Sequence, residues 1–198
     1  MQIKPANWIV KTEPTTEPVT LAEIKAQTKI TSSDEDTFLT TLGVVARQFC
    51  EKHQRRCYLE TALEIYLDQL PQVDRDSVIL PRLPLISVDS LKILQTGAAT
   101  ITVPATQYDV DLVFGRIKLN SNFDPNSYDK TLLPGYNGIV INCKAGYASA
   151  AKLPYTTKQA ILLMVSFLNE NRVAVTERGD AVSMPDAVKA LLQQNKVY

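Results

Sequence analysis

Cys50, His53 and Cys57 fall in one short stretch, CEKHQRRC, and they are the only metal-like grouping in the chain. A Cys-x-x-His step with a second Cys four residues on offers three soft or borderline ligands, and Cys143 is a conceivable fourth. Structural zinc sites usually carry paired Cys-x-x-Cys knuckles, which are missing here. The simpler reading puts Cys50 on the apolar face of a helix, His53 at that helix's C-terminal end, and Cys57 at the opening of a strand. The same residues also read as a Cys/His nucleophile pair. With one histidine in the chain, an acid–base scheme rests on His53 alone. A small metal- or thiol-dependent enzyme or regulator using Cys50, His53 and Cys57 is therefore the alternative function to keep in view.

The same stretch holds a basic cluster, Arg47, Lys52, Arg55 and Arg56. Read functionally, it is a contact for DNA or for an acidic partner; read plainly, it is a solvated helix end. Arg172 closes an apolar helix and is either an interface anchor or an ordinary helix-ending cation. Phosphate-cradling loops are absent, because TTLGVVAR and LPGYNGIV lack the spaced glycines that a P-loop or a dinucleotide fingerprint needs. No catalytic constellation and no cofactor are expected.

The elements that would position these residues are bounded by composition. A chain of 198 residues supports one core or two small ones, and 21 basic side chains balance 21 acidic ones. That balance argues against a dedicated nucleic-acid-coating surface. Three cysteines at irregular spacing argue against a disulfide framework. The N-terminus MQIKPANWIVKTEP has no long apolar stretch, and AILLMV falls far short of the roughly 20 residues that span a bilayer. The expectation is a soluble chain made in a reducing cytosol, with no membrane partner.

Periodicity then gives an order of helices, strands and helices. In EPVTLAEIKAQTKI, Thr20 and Glu23 have capping-box spacing and Val19 with Ile24 a hydrophobic staple, so a short helix should run from Leu21 to near Thr28. SSDEDTFLTTLGVVARQFCEKHQRR predicts a helix of about 20 residues, capped by Ser33, acidic at its start and basic at its end. From Cys57 the apolar period falls to two, which predicts a strand through YLETALEIYLDQL. VILPRLPLISVDSLKIL carries Pro81 and Pro84 where a ladder needs amides, so it reads as a corner between two strands. Short strands follow in ATITVPATQYDVD, GRIKLN and GIVINCKAGYA. A helix returns at LPYTTKQAILLMVSFLNENR, capped by Thr156 or Thr157, and is apolar around most of its circumference. VAVTERGDAV reads as a polar loop. SMPDAVKALLQQN reads as a short helix with Ser183 and Asp186 at capping-box spacing and Val188, Leu191 and Leu192 on one side. The fold class expected is α+β: a helical bundle of N- and C-terminal helices, 19–56 plus 153–195, with a small, mostly antiparallel β insert at 57–147, all in a single domain of 1–198.

Taken in order, EPVTLAEIKAQTKI, the acidic SSDED, LEIYLDQLP, LPRLPLISVDSL, IVINCKAGYA and the closing MPDAVKALLQQNKVY resemble the head-tail connector (adaptor, head-completion) proteins of tailed bacteriophages, over nearly the whole chain. The resemblance implies a structural, non-enzymatic subunit that forms a ring of about twelve copies beneath the portal protein. Such a ring extends the channel for double-stranded DNA without reading its sequence, and docks the next neck or tail protein. It also implies assembly in the bacterial host cytoplasm and residence in the virion neck. Candidate partner or ring contacts are then Arg172, Val188, Leu191, Leu192 and Tyr198, and candidate DNA-channel contacts are Arg47, Lys52, Arg55 and Arg56.

Overall fold

Thr20 and Glu23 form the expected capping box: the Thr20 hydroxyl accepts from the Glu23 amide at 3.2 Å, and the Thr20 amide donates to the Glu23 carboxylate at 2.6 Å. Two backbone donors that a helix start leaves without partners are thereby satisfied, and helix α1 runs Leu21–Thr28. Val19 and Ile24, the staple pair, are both buried in the same apolar cluster.

The computed structural model describes residues 2, 3, 5, 7–172 and 184–194. It divides into two compact units, one made of residues 15–59 and 147–198, the other of residues 1–14 and 60–146. The first is helical. Besides α1 it holds α2 (Asp36–Gln54), α3 (Tyr155–Glu170) and α4 (Asp186–Gln193). Leu39, Ala46 and Cys50 of α2, Ala160, Ile161, Met164 and Val165 of α3, and Val188 and Leu192 of α4 share one core with Ile24 and Tyr58. Burial of such apolar faces supplies most of the stability of helices this short. Gly43 sits mid-helix, where glycine is otherwise unfavourable, because a Cβ there would stand 3.0 Å from Ile24 Cδ1.

Helix starts differ from the sequence expectation in two places. Ser33 does not cap α2 with its side chain; residues 34 and 35 form a turn first, the N-cap is Glu35 with no side-chain bond, and only the Ser33 carbonyl reaches the Asp36 amide. Helix α3 begins at Tyr155 behind Pro154, whose fixed φ and carbonyl start the helix, so neither Thr156 nor Thr157 is the cap. Residues 173–183, including the expected polar loop and Ser183, lie outside the described residues.

The second unit is β. Its strands are β1 (Gln2–Ile3), β2 (Asn7–Thr12), β3 (Thr61–Leu67), β4 (Ser77–Ile79), β5 (Leu85–Ile93), β6 (Ile101–Val103), β7 (Tyr108–Asp111), β8 (Arg116–Leu119) and β9 (Ile139–Ala145). They form a five-stranded sheet, β2-β3-β9-β5-β6, and a four-stranded sheet, β1-β4-β8-β7. Every pairing among the described residues is antiparallel except β1 with β4. The period-two pattern places Thr61, Leu63, Ile65 and Leu67 on a buried face of β3, with Leu63 opposite Cys143 and Ile65 opposite Ile141 of β9. Strand β3 starts at Thr61, so Cys57 does not open it. The N-terminal residues, given no element by the sequence reading, contribute β1 and β2 to the two sheets.

Pro81 and Pro84 sit where the chain leaves β4 in one sheet and enters β5 in the other. The Leu83–Pro84 peptide is cis. Leu83 packs against the hairpin that joins β7 to β8, at Gly115, whose φ is +59°. A Cβ on Gly115 would lie 2.4 Å from Leu83 Cδ2. Gly115→Ala forces both a left-handed alanine and a displaced leucine, and should cost about 1–2 kcal/mol for the backbone alone; denaturant unfolding measures it.

Candidate functional site

The Cys50 thiol lies inside the helical core with no exposure, and burial, reinforced by the neighbouring Glu51 charge, pushes its pKa up to about 12. A buried thiol held that far above neutral pH stays protonated, the less reactive form. Cys57 is buried as well, and Cys143 belongs to β9 of the other unit. Among the described residues no group of three His, Cys, Asp or Glu side chains is arranged to hold a metal ion. His53 sits in the last turn of α2, at the carbonyl end of the helix.

The basic cluster splits. Arg47 is buried, its side chain 3% exposed, and donates from Nε to Glu17 at 2.8 Å and from Nη1 to Glu51 at 2.9 Å. Arg47 is thus turned inward, and the surface cations that remain are Lys52, Arg55 and the half-buried Arg56. Helical periodicity explains the split: Arg47 falls between Ala46 and Cys50 on the inner face, while Lys52 and Arg55 fall past it. Arg55 is the C-cap in the left-handed conformation, with φ 57°, and its amide donates to the Glu51 carbonyl. Arg56 Nη1 reaches the Tyr147 hydroxyl at 3.5 Å.

Around Arg47 a polar network has formed that the sequence does not announce. Glu51 also accepts from the Tyr58 amide at 2.7 Å. The Tyr58 hydroxyl donates to Gln54 at 2.6 Å, and Gln54 Nε2 donates to the Leu192 carbonyl at 2.6 Å. Burial raises the Tyr58 pKa, with the Glu51 charge adding to it, so the phenol stays a donor.

The expected contact residues are distributed differently from one another. Val188 and Leu192 are buried in the helical core, and Leu191 is packed against it. Arg172 is half exposed; it donates to Glu35 at 2.8 Å and stacks over the Phe38 ring at 4.6 Å. Tyr198 lies outside the described residues.

One exposed feature was not singled out from the sequence. The turn between β7 and β8 presents Leu112, Val113 and Phe114, which are 48%, 79% and 64% exposed. Its signal is three apolar residues in succession ahead of a turn glycine, an order that polar turns rarely show. No helix among the described residues is long and apolar enough to cross a membrane.

Two measurements test this arrangement. Arg47→Met leaves the Glu51 carboxylate without its charged partner and should lower stability by about 3–5 kcal/mol, whereas Lys52→Met, on the surface, should change it by less than about 0.5 kcal/mol; chemical denaturation of both variants compares them. All three thiols should resist alkylation in the native protein at pH 8 and react fully in denaturant, with mass spectrometry counting the adducts.

No protein-family model matches the chain, and no curated protein matches its sequence. Solved structures do match its fold. A chain in the neck of an empty gene transfer agent (GTA) particle computed with C6 symmetry is 21% identical, with a TM-score of 0.73 over 97% of this chain and 96% of that one. A chain in the virion of a native GTA particle is 20% identical, with a TM-score of 0.73 over 96% and 95%. A chain in the neck of a native GTA particle computed with C12 symmetry is 20% identical, with a TM-score of 0.66 over 97% and 96%. The chain therefore has the fold of those particle chains across both of its units.

Proposed function

We propose that this protein is a structural subunit of the neck of a phage or phage-like particle. The observation that carries the reading is the fold match to a chain of a GTA particle neck, which extends over 97% of this chain and 96% of that one. A match to one unit alone would have left the other free for a different task. In this reading about twelve copies form a ring beneath the portal protein, extend the channel through which double-stranded DNA passes, and dock the next neck or tail protein. Assembly takes place in the bacterial host cytoplasm, on the filled head.

Several features support such a role. The core of the helical unit is apolar apart from the Arg47–Glu51–Tyr58–Gln54 network, and all three cysteines are buried, as befits a part that must be stiff. Opposite charges cancel, so copies placed side by side carry no net repulsion. Lys52, Arg55 and Arg56 supply the cations for a channel wall or an acidic partner, with Arg47 held inside as their structural support. The exposed side of Arg172 and the end of α4 near Leu191 supply ring or portal contacts, joined by Tyr198.

Mixing the purified protein with DNA-filled, portal-bearing heads that lack a neck, followed by electron cryomicroscopy, should add a ring of density below the portal. Heads whose portal stays bare at saturating protein would sink the proposal.

A further inference from the structure

Asn137 and Gly138 form the one Asn-Gly pair in the chain, in the turn that leads into β9. The fold favours both residues. Asn137 stands in the left-handed region with φ 55°, which asparagine tolerates better than most side chains. A Cβ at Gly138 would come within 3.3 Å of Leu133 Cδ2 and of the Pro134 carbonyl oxygen, so the neighbours disfavour any side chain there. Two groups of the pair are pinned: the Asn137 amide donates to Asp68 Oδ1 at 2.9 Å, and the Gly138 carbonyl accepts from the Leu94 amide at 2.8 Å.

The two groups left over are those that can react with each other. Among the described residues, neither the Asn137 carboxamide nor the Gly138 amide takes part in a hydrogen bond. Asn137 is exposed, so water and solvent base reach it, and Gly138 has no side chain to shield its nitrogen. The Asn-Ser pairs are tied by comparison. The Asn120 carboxamide accepts from the Asn122 amide at 3.0 Å and donates to Asp109 at 3.1 Å. Behind Asn126, the Ser127 amide donates to the Asp124 carbonyl at 3.1 Å.

We propose that Asn137 is a site of spontaneous covalent modification, the place where this protein loses an amide as it ages. Solvent base takes the Gly138 amide proton and the nitrogen attacks Asn137 Cγ. A cyclic succinimide closes as the Cγ–Nδ2 bond breaks and ammonia leaves. Water then opens the ring. Cleavage of the ring nitrogen's bond to Cγ gives aspartate, and cleavage of its bond to the backbone carbonyl carbon gives isoaspartate, with the chain rerouted through the side chain. Either product sets a new carboxylate near Asp68, where like charges repel. Isoaspartate also adds a methylene to the backbone just ahead of Gly138 and of Ile139, which pairs with Leu67 on one side and Ile93 on the other.

The test incubates the full native chain at pH 8 and 37 °C for weeks and maps its peptides by mass spectrometry, with electron-transfer dissociation separating aspartate from isoaspartate. Asn137 should lose its amide about tenfold faster than any other described asparagine. Both acids should appear, and the rate should rise from pH 7 to pH 9. Amide loss led by Asn120 or Asn126 overturns the inference. So does a native Asn137 that stays intact while the urea-unfolded chain loses its amide, because the fold then shields the pair. Asn137→Gly keeps the left-handed turn without a carboxamide. This variant should melt at the same temperature before and after incubation, whereas the parent protein should fall in melting temperature as isoaspartate accumulates. An equal fall in both overturns the assignment of that loss to Asn137.

Discussion

Arg47 holds its guanidinium between the carboxylates of Glu17 and Glu51, and the contacts that begin there reach three separate parts of the helical unit. Glu17 lies on the segment ahead of α1. Glu51 passes the contact to the Tyr58 amide just beyond α2, and the Tyr58 hydroxyl continues through Gln54 to the Leu192 carbonyl at the end of α4. An ion pair taken out of water adds little net stability by itself, since desolvation offsets most of its Coulomb attraction. Its consequence is geometric: the donors and acceptors of this network are paired only when these segments take this mutual placement, whereas apolar faces alone would tolerate several.

The β unit reaches stiffness by another route. Strand β9 is paired along its length on both sides, by β3 and by β5, so its backbone groups find ladder partners without help from water. At the proline corner Leu83 packs under Gly115 and ties the passage between the two sheets to the base of the β7–β8 hairpin. The Cys50 thiol that the sequence offers for catalysis is sealed in the helical core.

Much of the secondary structure was legible because its causes are local. Thr20 and Glu23 are three residues apart, and their reciprocal bonds depend on nothing distant. The alternation in β3 follows from the pleat, and Pro81 and Pro84 mark a corner because proline has no amide to give. The caps at Ser33, Thr156 and Thr157 misled because a residue able to cap is not compelled to: a turn ahead of Asp36 and the proline ahead of Tyr155 took those places. The candidate site was legible only as a list of residue types. Arg47 sat in a run of cations and looked solvated, yet its burial depends on Glu17, thirty residues earlier. The turn at Leu112–Phe114 was visible as an apolar run, but only the structure shows that it is exposed.

From the sequence alone came an α+β chain with flanking helices, a central run of strands turned by prolines, and cancelling charges. These follow from composition and from periods of two and about 3.6 residues, which are properties of neighbours in the chain. Tertiary structure alone decided that the first residues join both sheets, that β9 lies between β3 and β5, and that one arginine of the basic cluster turns inward while the others stay out. Each of those outcomes is a pairing between residues far apart in sequence, set by which partner satisfies a buried charge or a free strand edge, and no local pattern encodes the partner.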